Sequence, residues 1–193
     1  MRKEFERLAK IEVSSSEELW SWLAAHHRQG ESVALVTYKK AVPDRYVGTD
    51  EVLDALIAHG WIDGARHKLD EERTMQLIGP RRTQRWTRSY KDRAARLEDE
   101  GRMAEAGRRA IAESKRLGLW NAMDDVDRLV VPEDLRAALD ARPAAADFFD
   151  RAAPSYRRNV LRWIKLAKRP ATRRRRIDRT VDLSAERTKV PQL

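Results

Sequence analysis

The stretch from residue 59 to residue 82, "HGWIDGARHKLDEERTMQLIGPRR", decides the fold. A catalytic reading is tempting, because His59, Asp63 and His67 stand four apart and would share one face of a helix. Gly60 and Gly64 argue against a helix there. Just upstream, "TDEVLDALIAHG" sets Val52, Leu53, Leu56 and Ile57 at helical spacing, with Thr49 or Asp50 as N-cap and Gly60 past the end. His59 therefore closes a short helix and leaves the triad. After Gly60, "WIDGARHKL" and "RTMQLIG" read as two strands joined at "DEE", with Trp61 or Ile62, Met75 and Leu77 supplying apolar faces.

Working outward from this hairpin, "SVALVTYKK" is a run of β-formers too brief for a helix and reads as a central strand from Val33. Before it, "SSSEELWSWLAAHHRQG" starts a helix: Ser14 and Ser15 each have a Glu three residues later, Leu19, Trp22 and Leu23 face inward, and Gly30 supplies a stop. Beyond Ser89 the pattern turns helical. "YKDRAARLEDEG" and "MAEAGRRAIAESKRLG" are separated by Gly101 and stopped by Gly118, and Pro132, Pro143, Pro154 and Pro170 open four further helices, the last fraying near Pro191. The expected fold is α+β: a small antiparallel sheet from about Val33 to Ile78 packed by helices, then a helical C-terminal half ending in a basic helix. Residues 1–124 form the α+β core and 125–193 the basic helical region, together one compact domain.

A chain of 193 residues with 41% hydrophobic content can bury a substantial core unaided. It has no Cys, which excludes a disulfide scaffold, thiol catalysis and thiolate zinc sites. The N-terminus is charged where a secretory signal needs an apolar run, and no stretch is apolar enough for a membrane span, so a cytoplasmic protein is expected. The net charge of +9 is uneven: residues 151–193 hold 14 Lys or Arg against 3 acidic residues, whereas 1–150 hold 26 against 28. A basic end on a near-neutral body suits an anionic partner, whether nucleic acid, a lipid surface or an acidic protein.

Motifs for catalysis are absent. His26 and His27 are adjacent and point apart, so no metal site is expected, and no glycine spacing cradles a nucleotide, so no cofactor is expected. Asp63 and His67 would fall on one face of a regular strand and could pair for acid/base work. Asp63 before Gly64 also reads as a turn residue capping local backbone. The segment "RRTQRWTRSYKDRAAR" interleaves Trp86 and Tyr90 with seven basic residues, suited to gripping phosphate or stacking a base, or to a buried Trp86 with solvated arginines. In "PSYRRNVLRWIKLAKR", Tyr156, Val160, Trp163, Ile164 and Ala167 draw one apolar stripe, and Arg158, Arg162, Lys165 and Arg169 recur on the opposite side. Further on, Arg174 and Asp178 can pair one turn apart, while Ile177 and Val181 anchor that helix inward.

Five motifs in order carry a resemblance: "GWIDG" at 60–64, Asp70, "PRR" at 80–82 with Trp86, "LEDEGRM" ahead of "AGRRAI", and "LRWIKLAKRPATRRRRID". They resemble the YdeI/OmpD-associated family of bacteriocin-protection proteins, from about Leu19 to Val181. Ala58 and His59 stand where that family has Cys-Phe, and "RWTRSY" replaces its Ser-x-Trp-Ser-x-x-Asn run, with Tyr90 near the Asn place. A ligand held by that Ser and Asn would be held differently here. The resemblance implies a small bacterial cytoplasmic α+β protein, linked by name to tolerance of bacteriocins or antimicrobial peptides and to an outer-membrane porin, with no established enzyme activity.

Two candidate sites result. One is a binding pocket of Trp61, Asp63, His67, Arg81, Arg82 and Trp86; the other is a polyanion stripe of Arg158, Arg162, Lys165 and Arg169. The first functional reading is a non-catalytic tolerance factor that acts by binding, and the alternative is a nucleic-acid or anionic-surface binder. An enzyme using Asp63 and His67 stands last.

Overall fold

The computed structural model describes residues 7–191 and divides into two compact units, Met1–Asn121 and Ala122–Leu193. The first unit runs β1 (Lys10–Glu12), α1 (Ser16–His26), β2 (Val33–Tyr38), α2 (Thr49–Ala58), β3 (Trp61–Lys68), β4 (Arg73–Pro80), α3 (Arg88–Asp99) and α4 (Glu105–Arg116). The strands form one sheet in the order β1-β2-β4-β3, antiparallel except for β1, which lies parallel to β2 at the edge. That edge strand has three residues, "KIE", too short for an alternating pattern to announce it. β2 is buried along its whole length, as a central strand requires. Val33 and Leu35 pack with Ile78, Leu19, Leu23, Leu56 and Trp61, while Ala34 and Val36 join Met75 on the other face.

Local chemistry sets the boundaries. At the start of α1 the Ser15 hydroxyl accepts from the Glu18 N–H at 3.2 Å, and the Glu18 carboxylate accepts from the Ser14 N–H at 2.7 Å, a reciprocal cap. α1 stops at His26, well before Gly30, because side chains close it: His26 Nδ1 lies 2.8 Å from Trp22 O and His27 Nδ1 2.8 Å from Ala24 O. The N-cap of α2 is Gly48 and not Thr49 or Asp50; the Glu51 carboxylate accepts from the Gly48 N–H at 2.7 Å. Gly60 then turns the chain at φ +74°, where a Cβ would sit 2.8 Å from Ala106 O, so only glycine fits.

The second unit is helical: α5 (Asp124–Asp127), α6 (Glu133–Asp140), α7 (Pro143–Arg151), α8 (Pro154–Lys165) and α9 (Pro170–Ala185). Pro143, Pro154 and Pro170 each occupy the first turn of a helix, whereas Pro132 is the N-cap residue of α6. Leu135, Leu139, Phe149, Val160 and Ile164 are fully buried at its centre, and Ile177 and Val181 anchor α9 against them. α9 ends at Ala185, well short of Pro191. Arg187 adopts φ 54° and the Thr188 N–H donates to Leu183 O at 2.8 Å, closing the helix with a left-handed turn. Among the described residues, no helix is long and apolar enough to cross a membrane.

Candidate functional site

In the first unit the decisive feature is a bulge in β3. Asp63 pairs with Ile78 and Arg66 with Gln76, so β3 spends one residue more than β4 between these pairs. Side-chain alternation therefore changes phase after Asp63. Asp63 shares the face of Ile78, whereas His67, opposite Met75, lies on the other face beside a cavity of about 510 Å³ lined by Lys68, Leu69 and Asp70. The acid/base pair expected from simple alternation is thus separated by the sheet. Nor does Asp63 cap a turn. That role belongs to Asp70, whose carboxylate accepts from the N–H groups of Glu72 at 3.0 Å and Arg73 at 2.7 Å.

Asp63 instead binds side chains from other elements. Its carboxylate accepts from the Tyr90 hydroxyl of α3 and, at 3.2 Å, from the amide of buried Gln76. The Gln76 carbonyl in turn accepts from Arg66 at 2.6 and 3.2 Å. Above this relay the Arg81 guanidinium lies 4.1 Å from the Trp86 ring centre and 5.2 Å from that of Tyr90. Arg81 is 9% exposed and Trp86 1%. Burial pushes the Arg81 guanidinium down to about 10, against the opposing pull of Tyr90 and Asp63. Burial, then the hydrogen bond to Asp63, raises the Tyr90 phenol well above its ordinary value.

Of the six pocket residues expected, Asp63, Arg81 and Trp86 converge. Trp61 is fully buried in the core, edge-on to Trp22. Arg82 is exposed and donates to Gly30 O at 2.5 Å. His67 faces the other way. Tyr90 and Gln76 complete the cluster. Tyr90 stood out in the aromatic and basic run, but its partner is 27 residues away and is met only when α3 docks.

In the second unit the four residues of the expected stripe do not make one solvated face. Arg158 and Arg162 are half-buried, with Arg162 Nε enclosed; Lys165 bridges to Asp125; Arg169 lies beyond α8 as the N-cap of α9. The missing element is Leu161, buried to 3%, which widens the apolar side of α8 into the space assigned to cations. The cationic face belongs to α9. Thr172, Arg175, Arg176 and Arg179 recur at i, i+3, i+4 and i+7 and line a concavity of about 400 Å³ with Trp163 and Val190. Among the described residues, no carboxylate lines it. Arg176 is held beneath, its guanidinium 5.0 Å from the Trp163 ring centre and donating to Trp163 O. Arg175 and Arg179 have no ion pair among the described residues. The consecutive arginines diverge, as a helix demands: Arg173 forms a two-point bridge to Asp134 at 2.7 and 2.8 Å, while Arg174 and Asp178 line a different groove without bridging each other.

Among the described residues, no group of three or more His, Asp or Glu could hold a metal ion. Comparison with protein families matches residues 11–110 to the family described as "Domain of unknown function (DUF8412)" and residues 128–187 to the family described as "Bacteriocin-protection, YdeI or OmpD-Associated". No curated protein and no solved structure matches the chain. The "GWIDG" and "PRR" motifs and the Asp63 cluster stand in the first match, whereas "LRWIKLAKRPATRRRRID" and the α9 face stand in the second. Of the five motifs, only the last stands in the YdeI/OmpD-associated, bacteriocin-protection match, which is confined to residues 128–187, and the chain belongs to the DUF8412 family.

Proposed function

We propose that this protein acts by binding and not by catalysis, and that its second unit binds a phosphodiester backbone through the α9 face. The observation that carries the reading is the concavity beside Trp163, where Arg175 and Arg179 stand one turn apart with no counter-ion among the described residues. Four residues of helix rise about 6 Å, a spacing suited to successive charges on a strand. An arginine fork meets a phosphate with two parallel N–H donors. Trp163 packs against the core, so it walls the groove instead of inserting into lipid, which favours nucleic acid over a membrane surface. The separation of Asp63 from His67 across the sheet supports a non-catalytic first unit.

A tolerance role, suggested by the family description of residues 128–187, fits this reading only indirectly. A strongly basic surface repels cationic peptides. It would protect by occupying the polyanion that such peptides seek. A cytoplasmic location suits that role.

The test is binding of the full chain to labelled duplex DNA across a salt series. Arg175→Gln and Arg179→Gln should each flatten the log–log salt slope by about 0.9, one phosphate contact apiece. Arg151→Gln, which removes a cation already bridged to Asp147, should leave the slope alone. An unchanged slope in both α9 variants refutes the assignment, and tighter binding to anionic vesicles than to DNA transfers it to lipid.

A further inference from the structure

The Arg81 cluster lies in the first unit and the α9 groove does not explain it. Arg81 is a buried cation with most of its donors idle. Nη1 donates to Gln84 O at 3.3 Å, whereas Nε and Nη2 are buried without a partner, and so is the indole N–H of Trp86. Leaving such groups unpaired in a low dielectric is costly, and natural proteins rarely do so. The nearest carboxylate, Asp63, is committed to Tyr90 and Gln76 and makes no hydrogen bond to Arg81.

We propose that Arg81 anchors a site for a small planar carboxylate, gripped by the Nε–Nη2 edge of its guanidinium on the face of Trp86. Three features select that chemistry. The Nε–Nη2 edge is one of the two sides from which arginine meets a carboxylate with parallel hydrogen bonds. The guanidinium packs 4.1 Å from the centre of the indole ring, so a ligand on its Nε–Nη2 edge lies close to the flat Trp86 side chain, where a planar group packs better than a tetrahedral one. Asp63 already contributes a nearby negative charge, so each further negative charge adds repulsion and a monoanion is opposed less than a phosphate dianion. The exposed segment 82–85 follows Arg81 directly, and its Gln84 carbonyl is the acceptor that Arg81 now uses.

The experiment is an NMR titration of the full chain at pH 7 and constant ionic strength, with sodium acetate, sodium phosphate and sodium chloride as probes. The Trp86 indole is assigned by Trp86→Phe and the Arg81 Nε–H by Arg81→Lys. Acetate should shift both resonances saturably, and Arg81→Lys, which keeps the charge but loses the fork, should abolish the Trp86 response while the Trp61 indole resonance stays in place. Should Arg81→Lys fail to fold, the contrast among the three probes on the unaltered chain still decides. No saturable shift with acetate up to about 100 mM, a deliberately weak limit, overturns the site. An equal or larger response to phosphate or chloride overturns the carboxylate assignment.

Discussion

Asp54→Asn should be among the most damaging conservative changes in the first unit. Asp54 sits on α2 at 10% side-chain exposure and joins that helix to α3. Arg96 Nη2 donates to both its oxygens at 2.7 and 2.8 Å, Arg93 Nη1 donates at 2.7 Å, and Arg102 stands 4.0 Å away. The amide keeps the shape but removes the charge and turns an N–H₂ toward a guanidinium. Stripping one partner from a buried pair costs about 3–5 kcal/mol. Here Arg93 keeps Asp50 and Arg96 keeps Glu100, both at the surface, so about 2–3 kcal/mol is expected once solvent screening is allowed for. Urea unfolding followed by tryptophan fluorescence measures this. Trp163 is the one tryptophan in 122–193, so a Trp163→Phe background confines the signal to the first unit. The difference should also depend on pH. Burial pushes the Asp54 carboxyl up, but the hydrogen bonds and charges of Arg96 and Arg93 outweigh it and hold it below the ordinary carboxylate range. The unfolded chain then takes up the proton first, so the stabilisation is complete above about pH 5 and drains away below about pH 4. A gap under about 0.5 kcal/mol, the usual scale of a surface substitution, or one that is as large at pH 3 as at pH 7, refutes the reasoning.

Two further expectations follow from the same unit. Asp63→Asn and Tyr90→Phe should each cost about 1–3 kcal/mol and be non-additive by about 1 kcal/mol in a double-mutant cycle, whereas additive effects would return Asp63 to a local role. Burial lowers the His59 imidazole below its ordinary value, against the hydrogen bond to Ala55 O. Its folded-state value is depressed, so stability is complete above about pH 7 and falls as the pH drops below about 6.5. His59→Gln should flatten that limb in unfolding at pH 7, 6 and 5.

Much of this architecture is legible in the sequence, and the gaps have physical causes. The hairpin, the central strand and the proline-opened helices follow from local period and punctuation. The phase change in β3 does not. "DGA" is compatible with a strand of either register, and only the pairing of Asp63 with Ile78 and of Arg66 with Gln76 reveals the extra residue. That single residue moves His67 to the far face and leaves Asp63 facing Tyr90. The Arg81 cluster was half visible: "PRR" and Trp86 stood out, but nothing local distinguishes Arg81, 9% exposed, from exposed Arg82 beside it. In the second unit the periodicity of α8 located its buried stripe but misplaced the cations. Leu161 extends that stripe, and the guanidiniums that line a groove with no ion pair among the described residues, those of Arg175 and Arg179, sit one helix later, on α9.

Arginine is used in two ways in this protein, and the contrast between them supports reading the α9 face as a binding surface. Many guanidiniums are committed to carboxylates: Arg93 and Arg96 to Asp54, Arg73 to Glu12 and Asp70, and Arg108 to Glu98 in the first unit, Arg136 to Asp150 and Arg142 to Asp182 in the second. Each pair spans two elements or a turn, so its charge serves the fold. On α9 the pattern divides by face. Arg173 and Arg176 point to partners, Asp134 and the Trp163 carbonyl, and do structural work. Arg175 and Arg179 reach neither, although Asp178 lies between them in sequence. A helix carrying adjacent unpaired cations bears self-repulsion that a single Glu at either position would relieve. Genomic bias toward arginine explains many cations in total, but it does not explain why Arg175 and Arg179 share a concave face with a tryptophan and, among the described residues, no carboxylate. Repulsion held in one groove is what a site for a polyanion requires, because the ligand supplies the missing counter-charge.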